Sequence, residues 1–216
     1  MSRIRDLSLA AVAAAGLSVG AQGAAAAEWN MPTPYPAGNF HTQNIQAFAD
    51  DVNEMTDGEL TITVHPAGSL FKHPEIKNAV RSRQVQIGEF LLSRLANEDA
   101  AFQADSVPFL ASDYAQARQL WQASKPVIED KLAEQNLQVL FTVPWPPQGL
   151  YTKAKIEDMS DLKGISFRAY NSATERLAQL AGMVPTQVEV PDVAQAFATG
   201  RVDAMMTSPS TGVNTK

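Results

Sequence analysis

Ala196-Phe197-Ala198-Thr199-Gly200-Arg201-Val202-Asp203-Ala204 echoes Ala79-Val80-Arg81-Ser82-Arg83-Gln84-Val85-Gln86-Ile87, and in each stretch a helix end passes through a polar turn into an apolar strand. Around the later copy, Ile165-Ser166-Phe167-Arg168-Ala169 reads as a strand, and Ser172-Ala173-Thr174-Glu175 as a capping box that opens a helix. Leu177 and Leu180 mark the expected buried face of that helix, and Gly182 ends it. A strand over 184–190, a helix opened by Pro191 and running to Thr199, and a strand over 202–206 follow. Around the earlier copy the order is the same. A strand over 28–31 is broken by 32–38, and a helix from about Phe40 carries Ile45, Phe48, Val52 and Met55 at helical spacing. Thr56-Asp57-Gly58 stops it, because glycine supplies the left-handed C-terminal cap. Alternating Leu60-Thr61-Ile62-Thr63-Val64 is a strand, Pro66-Ala67-Gly68 turns the chain, and a helix over 74–83 leads into a strand over 85–91.

Two successive strand-helix-strand-helix-strand units predict two α/β domains with parallel sheets, because right-handed crossovers lay the helices over the sheet faces. Between them lie amphipathic helical stretches at 113–123 and 126–135 and a strand over 138–143. Pro144-Trp145-Pro146-Pro147 then makes a stiff crossing. The expected partition is a leader over 1–27, a first α/β domain over 28–145 and a second over 146–216. A cleft between two such domains collects C-terminal strand ends and helix N-termini, a setting that favours a small anion.

The first 27 residues have the order of a secretory signal peptide: Arg3 and Arg5, an apolar run from Leu7 to Val19, then small residues ending Ala25-Ala26-Ala27. Export to the periplasm is therefore expected, with a mature chain starting near Glu28. Beyond the leader 15 basic residues face 22 acidic ones, a net charge of −7 that argues against nucleic acid as a partner. The chain has no cysteine, so it lacks the acylation site of a lipoprotein, and no direct membrane anchor is expected.

An enzyme acting on a small organic acid is the competing class, and it needs a reactive constellation. His41, His65 and His73 are the only histidines, and none stands in a zinc-type spacing. There is no nucleophile elbow and no phosphate-binding loop, so nucleophilic and phosphoryl chemistry have no visible carriers. No catalytic residue, metal or cofactor is implied.

Five motifs in register, Val64-His65-Pro66-Ala67-Gly68-Ser69-Leu70, Val85-Gln86-Ile87-Gly88, Val107-Pro108-Phe109-Leu110, Asp161-Leu162-Lys163-Gly164-Ile165-Ser166-Phe167-Arg168 and Gly200-Arg201-Val202-Asp203-Ala204, resemble the solute-binding proteins of tripartite ATP-independent periplasmic (TRAP) transporters, DctP-like. The resemblance implies a clamshell of the type II periplasmic binding protein kind, two α/β domains with a cleft between them, which captures a small organic acid and hands it to integral-membrane permease subunits. It also implies that the C-terminal part is missing, which makes a nonfunctional truncated fragment of such a protein the alternative reading, and an unpartnered edge at strand 202–206 is expected on that ground.

In the resembled family the arginine of Leu-Lys-Gly-x-x-x-Arg grips the ligand carboxylate, and that position here is Arg168. A guanidinium matches a carboxylate with two parallel hydrogen bonds and stays charged when desolvated. Arg168 is expected to face a cleft and not a core, with the free amides of the following helix converging on the same anion. Gln148 stands where many members carry a second arginine, and Thr207 and Ser208 stand where they often carry asparagine. Trp145, Asn39, Tyr170 and Asn171 complete the candidate site, with Tyr151 close by. One positive charge fewer, beside aromatic residues, points to a monocarboxylate.

Overall fold

The computed structural model describes residues 26–214. All but the last two residues of the leader, and the final two residues of the chain, lie outside the described part.

The first half opens with β1 (Ala27–Pro32), α1 (Phe40–Met55), β2 (Leu60–His65) and α2 (His73–Arg81). β1 and β2 pair in parallel, Ala27 opposite Leu60 through Pro32 opposite His65. Met31, Ile45, Ala49, Ile62 and Ile87 form the core beneath them, with Phe48 and Val52 partly buried against it, so the helical spacing buries one face of α1 up to Val52 but not Met55, which is exposed at the helix end. Asp57 and Gly58 both take left-handed φ values, 48° and 80°, and end α1 where the glycine signal placed the stop.

The expected strand over 85–91 does not form. Its hydrogen bonds to β1 are a single backbone bond, Glu89 N–H to Pro32 O at 3.0 Å, and a bond from Asn30 N–H to the Gln86 side chain at 3.1 Å. Val85 and Ile87 are buried, which explains the strand-like pattern, but burial without a ladder leaves an irregular segment. Residues 138–143 are irregular for a similar reason, packing by side chains, as Phe141 does on Phe48 with rings 5.1 Å apart. The two helices expected between the halves are one, α3 (Tyr114–Ala133), with Pro126 inside it. Proline's φ suits a helix, and the buried Ile128 and Leu132, packed on Phe102, offset the lost hydrogen bond.

The second half holds β3 (Gly149–Thr152), β4 (Ser166–Ala169), α4 (Ser172–Leu180), β5 (Val184–Gln187), α5 (Val193–Ala198), β6 (Ala204–Thr207) and α6 (Pro209–Asn214). The sheet order is β3-β6-β4-β5. β4 runs parallel to β5 and β6, whereas β3, a strand absent from the sequence reading, is antiparallel to β6. β6 is therefore an inner strand, and the unpartnered edge expected there is corrected. The helix expected from Pro191 is a 3-10 turn, Val190–Asp192, running into α5.

α4 also differs in detail. Its N-cap is Asn171, whose side chain accepts from Thr174 N–H while the Thr174 hydroxyl accepts from Asn171 N–H, so the capping box lies one residue before the expected Ser172. Its buried residues are Thr174 and Ala178, not Leu177 and Leu180, and Leu180 is exposed. The parallel strands β4 and β5 put the residues that follow them, 170–171 and 188–189, at one end of the sheet, next to Arg168 near the end of β4.

Candidate functional site

Arg168 lies on β4, opposite Thr186 of β5 and Met205 of β6, with 2% of its surface exposed. Its side chain is therefore almost wholly buried. Its Nε–H donates to Val188 O at 2.8 Å, and its guanidinium carbon lies 4.7 Å from the centre of the Tyr170 ring. Among the described residues no carboxylate lies within salt-bridge distance of it. Glu189 acts on it through space, but that carboxylate is taken by Arg94 Nη1 at 3.0 Å and His73 Nδ1 at 3.2 Å. Burial pulls the Arg168 pKa down to about 10, which leaves it charged at neutral pH. A buried cation without a carboxylate partner is costly, and an anionic ligand compensates that cost.

Around it the chain supplies polar and aromatic groups. Tyr170 O–H donates to Gln148 Oε1 at 3.4 Å, and Gln148 Nε2 donates to Pro146 O at 2.8 Å. Tyr35, 3% exposed, packs edge-on against Trp145 with centroids 5.1 Å apart. Burial, and then the charge of Glu89, pushes its phenol well above the ordinary tyrosine range and keeps it neutral. His41 lies 4.1 Å from the Trp145 ring, and its Nδ1 faces Glu89 Oε1 at 3.3 Å.

A second layer crosses between the halves. Besides its bond to Glu189, Arg94 donates to Tyr170 O at 2.8 Å, and Asn171 Nδ2 donates to Ser93 Oγ at 2.9 Å. His73 Nε2 accepts from Leu91 N–H at 3.1 Å, so its ring proton is on Nδ1, toward Glu189. Burial raises the Glu189 pKa, but the His73 hydrogen bond and the charges of Arg94, His73 and Arg168 outweigh it and hold the carboxyl below its ordinary 4.5. His73 and Arg94 also line a cavity of about 210 Å³, but Arg94 is already paired with Glu189, and the buried Lys77 with Glu98 and Gln135. Arg168 is thus the better candidate for an anion.

Of the sequence candidates, Arg168, Tyr170 and Gln148 come together, and Trp145 packs on Tyr35, whose phenol senses the charge of Arg168 through space. Asn39 and Asn171 are buried N-caps of α1 and α4, and Ser208 caps α6 by accepting from Thr211 N–H at 3.2 Å. Thr207 is buried at the end of β6 opposite Gly149. Tyr151 packs instead against Gly212, where a Cβ would stand 2.6 Å from its ring. Capping already engages the first turn of α4, so the converging amides expected there are partly used. Tyr35, His41, Glu89, Arg94 and Glu189 were not among the candidates. A weak signal existed for one of them, since Tyr35 lies between two prolines, whereas Glu189 fell inside the strand expected over 184–190 and follows the strand only because β5 ends at Gln187.

The family model for bacterial extracellular solute-binding protein, family 7, matches residues 33–216. The chain is 47% identical to DctP7, a Bordetella pertussis extracytoplasmic solute receptor whose crystal structure binds pyroglutamic acid, with a TM-score of 0.85 over 88% of this chain and 63% of that one. It is 46% identical, at a TM-score of 0.86 over 88% of this chain and 62% of the other, to a marine metagenome TRAP solute-binding protein specific for pyroglutamate. A solute-binding protein of Albidiferax ferrireducens is 23% identical over 179 residues, 82% of this chain and 53% of that protein. The chain therefore spans about half the length of that relative and less than two thirds of the two solved chains.

Proposed function

We propose, from the premise that the chain belongs to the family 7 bacterial extracellular solute-binding proteins, that it captures a small monocarboxylate and hands it to integral-membrane TRAP permease subunits. Residues 28–145 and 146–216 supply the two lobes, and the leader over 1–27 sends the protein to the periplasm. The ligand is bound and released unchanged. Arg168 carries the reading: it is a buried, charged guanidinium with no carboxylate of the chain in salt-bridge reach among the described residues. A single such cation, with neutral Gln148 and the Tyr170 hydroxyl beside it, balances one carboxylate, whereas a second carboxylate would be desolvated without a partner. Pyroglutamate, the acid bound by the two relatives at 46% and 47% identity, has one carboxylate on a small uncharged ring and is the first ligand to test.

Calorimetric titration of the wild type, Arg168→Lys and Arg168→Ala with pyroglutamate tests this. Lysine keeps the charge but loses the planar fork, at about 1.5–3 kcal/mol, or roughly ten- to a hundredfold in affinity, and alanine loses more. Recovered acid is expected to be chemically intact. Unchanged affinity in both variants, or tight succinate binding with no response to monocarboxylates, would overturn the reading.

A further inference from the structure

We propose that His41 is a second ligand-reading side chain, a hydrogen-bond acceptor held in one tautomer by Glu89, and that the acid bound here therefore carries an N–H or O–H group besides its carboxylate. The assignment rests on the carboxylate reading above and adds to it the chemistry of the ligand's second polar group.

His41 is the second residue of α1, and its ring is buried, 3% exposed, among Phe40, Trp145 and Tyr35 at centroid distances of 4.2, 4.1 and 5.3 Å. Its Nδ1 faces Glu89 Oε1 at 3.3 Å. The other oxygen of that carboxylate accepts the Thr33 hydroxyl at 2.5 Å, and the Glu89 backbone is fixed by its own bond to Pro32 O. A carboxylate that already accepts a hydroxyl takes a proton donor from the ring as well, so in the neutral imidazole the hydrogen is on Nδ1 and Nε2 presents a lone pair. Among the described residues, His41 Nε2 is the buried side-chain polar atom with no hydrogen-bond partner. Buried polar atoms are bonded in the great majority of cases, so such an exception in a candidate site calls for a specific partner.

His73 provides the internal contrast. It also pairs a glutamate through Nδ1, but its Nε2 accepts the Leu91 N–H, and both nitrogens are used by the chain. That is how a structural histidine–glutamate pair looks in this protein. His41 has the glutamate and lacks the second partner. Its position supports the assignment, because the ring touches Trp145, three residues before Gln148, which accepts the Tyr170 hydroxyl beside Arg168. Tyr35, in contact with His41, also couples electrostatically to Arg168.

The test compares pyroglutamate with its ring-oxygen counterpart, 5-oxotetrahydrofuran-2-carboxylate, which keeps the carboxylate and carbonyl but has no N–H. Calorimetry on the wild type should favour the lactam by about ten- to a hundredfold, since the lactone leaves the buried acceptor unpaired. His41→Asn keeps a donor for Glu89 but has no atom at the Nε2 position, and its lactam-to-lactone ratio should fall to near unity. His41→Gln, whose amide oxygen reaches that position, should keep most of the preference. A wild-type ratio near unity, or a preference undiminished in His41→Asn, would overturn the proposal while leaving the carboxylate reading intact. Failure of the wild type to bind either acid would remove that reading and this assignment together.

Discussion

Under the proposed function Arg168 has two jobs for one guanidinium, since Nε holds Val188 O and the remaining nitrogens are the ones proposed to meet the carboxylate. Truncation therefore does more than weaken binding. Arg168→Ala should lower the stability of the unliganded protein by about 1–3 kcal/mol, the cost of leaving a buried carbonyl unpaired, as read by urea denaturation. An unchanged midpoint would place Val188 O in contact with water. This differs from what the strand position alone suggests, namely a side chain open to a cleft whose removal leaves stability untouched. The place of the arginine in the fold was legible because it ends a motif and lies in an apolar strand. Its surroundings were not, because the groups that tune the site come from distant parts of the chain, as His73 and Glu189 do across 116 residues. Local spacing carries no information about such pairs.

At the level of elements, α4 gives a sharp comparison between neighbouring residues. Asn171 caps the helix and also donates to Ser93, whereas the Ser172 hydroxyl contacts only the Gln103 side chain, at 3.5 Å and exposed. Asn171→Ala should lower stability by about 1–2 kcal/mol in thermal unfolding, and Ser172→Ala by a few tenths at most. Equal effects would contradict the cap assignment. Helices and strands with a strong period, such as α1 and β2, could be read directly from the sequence. Residues 85–91 and 138–143 carry a strand-like pattern yet form none, because pattern records burial, whereas a strand requires a neighbour at ladder distance. β3 was missed for the converse reason: Gly149–Thr152 directly follows the prolines of the crossing, and its pairing with β6 depends on a segment more than fifty positions away.

Across the whole molecule, Glu189 ties the second half to the first through His73 and Arg94. Because its folded pKa lies below the ordinary 4.5, its contribution is present above that value and is lost as pH falls through the folded value. The melting temperature of the wild type should exceed that of Glu189→Gln near neutrality, and the difference should shrink in acid. A difference independent of pH would mean that the charge of Glu189 is not what joins the halves. The aromatic contact at the crossing has an optical consequence. Trp29 and Trp121 lie in separate apolar clusters, whereas Trp145 rests against the His41 imidazole. Indole emission responds to a neighbouring imidazole and to exclusion of water, so ligand addition should change the fluorescence of one tryptophan over a constant background from the other two, giving the protein a built-in reporter of its own occupancy.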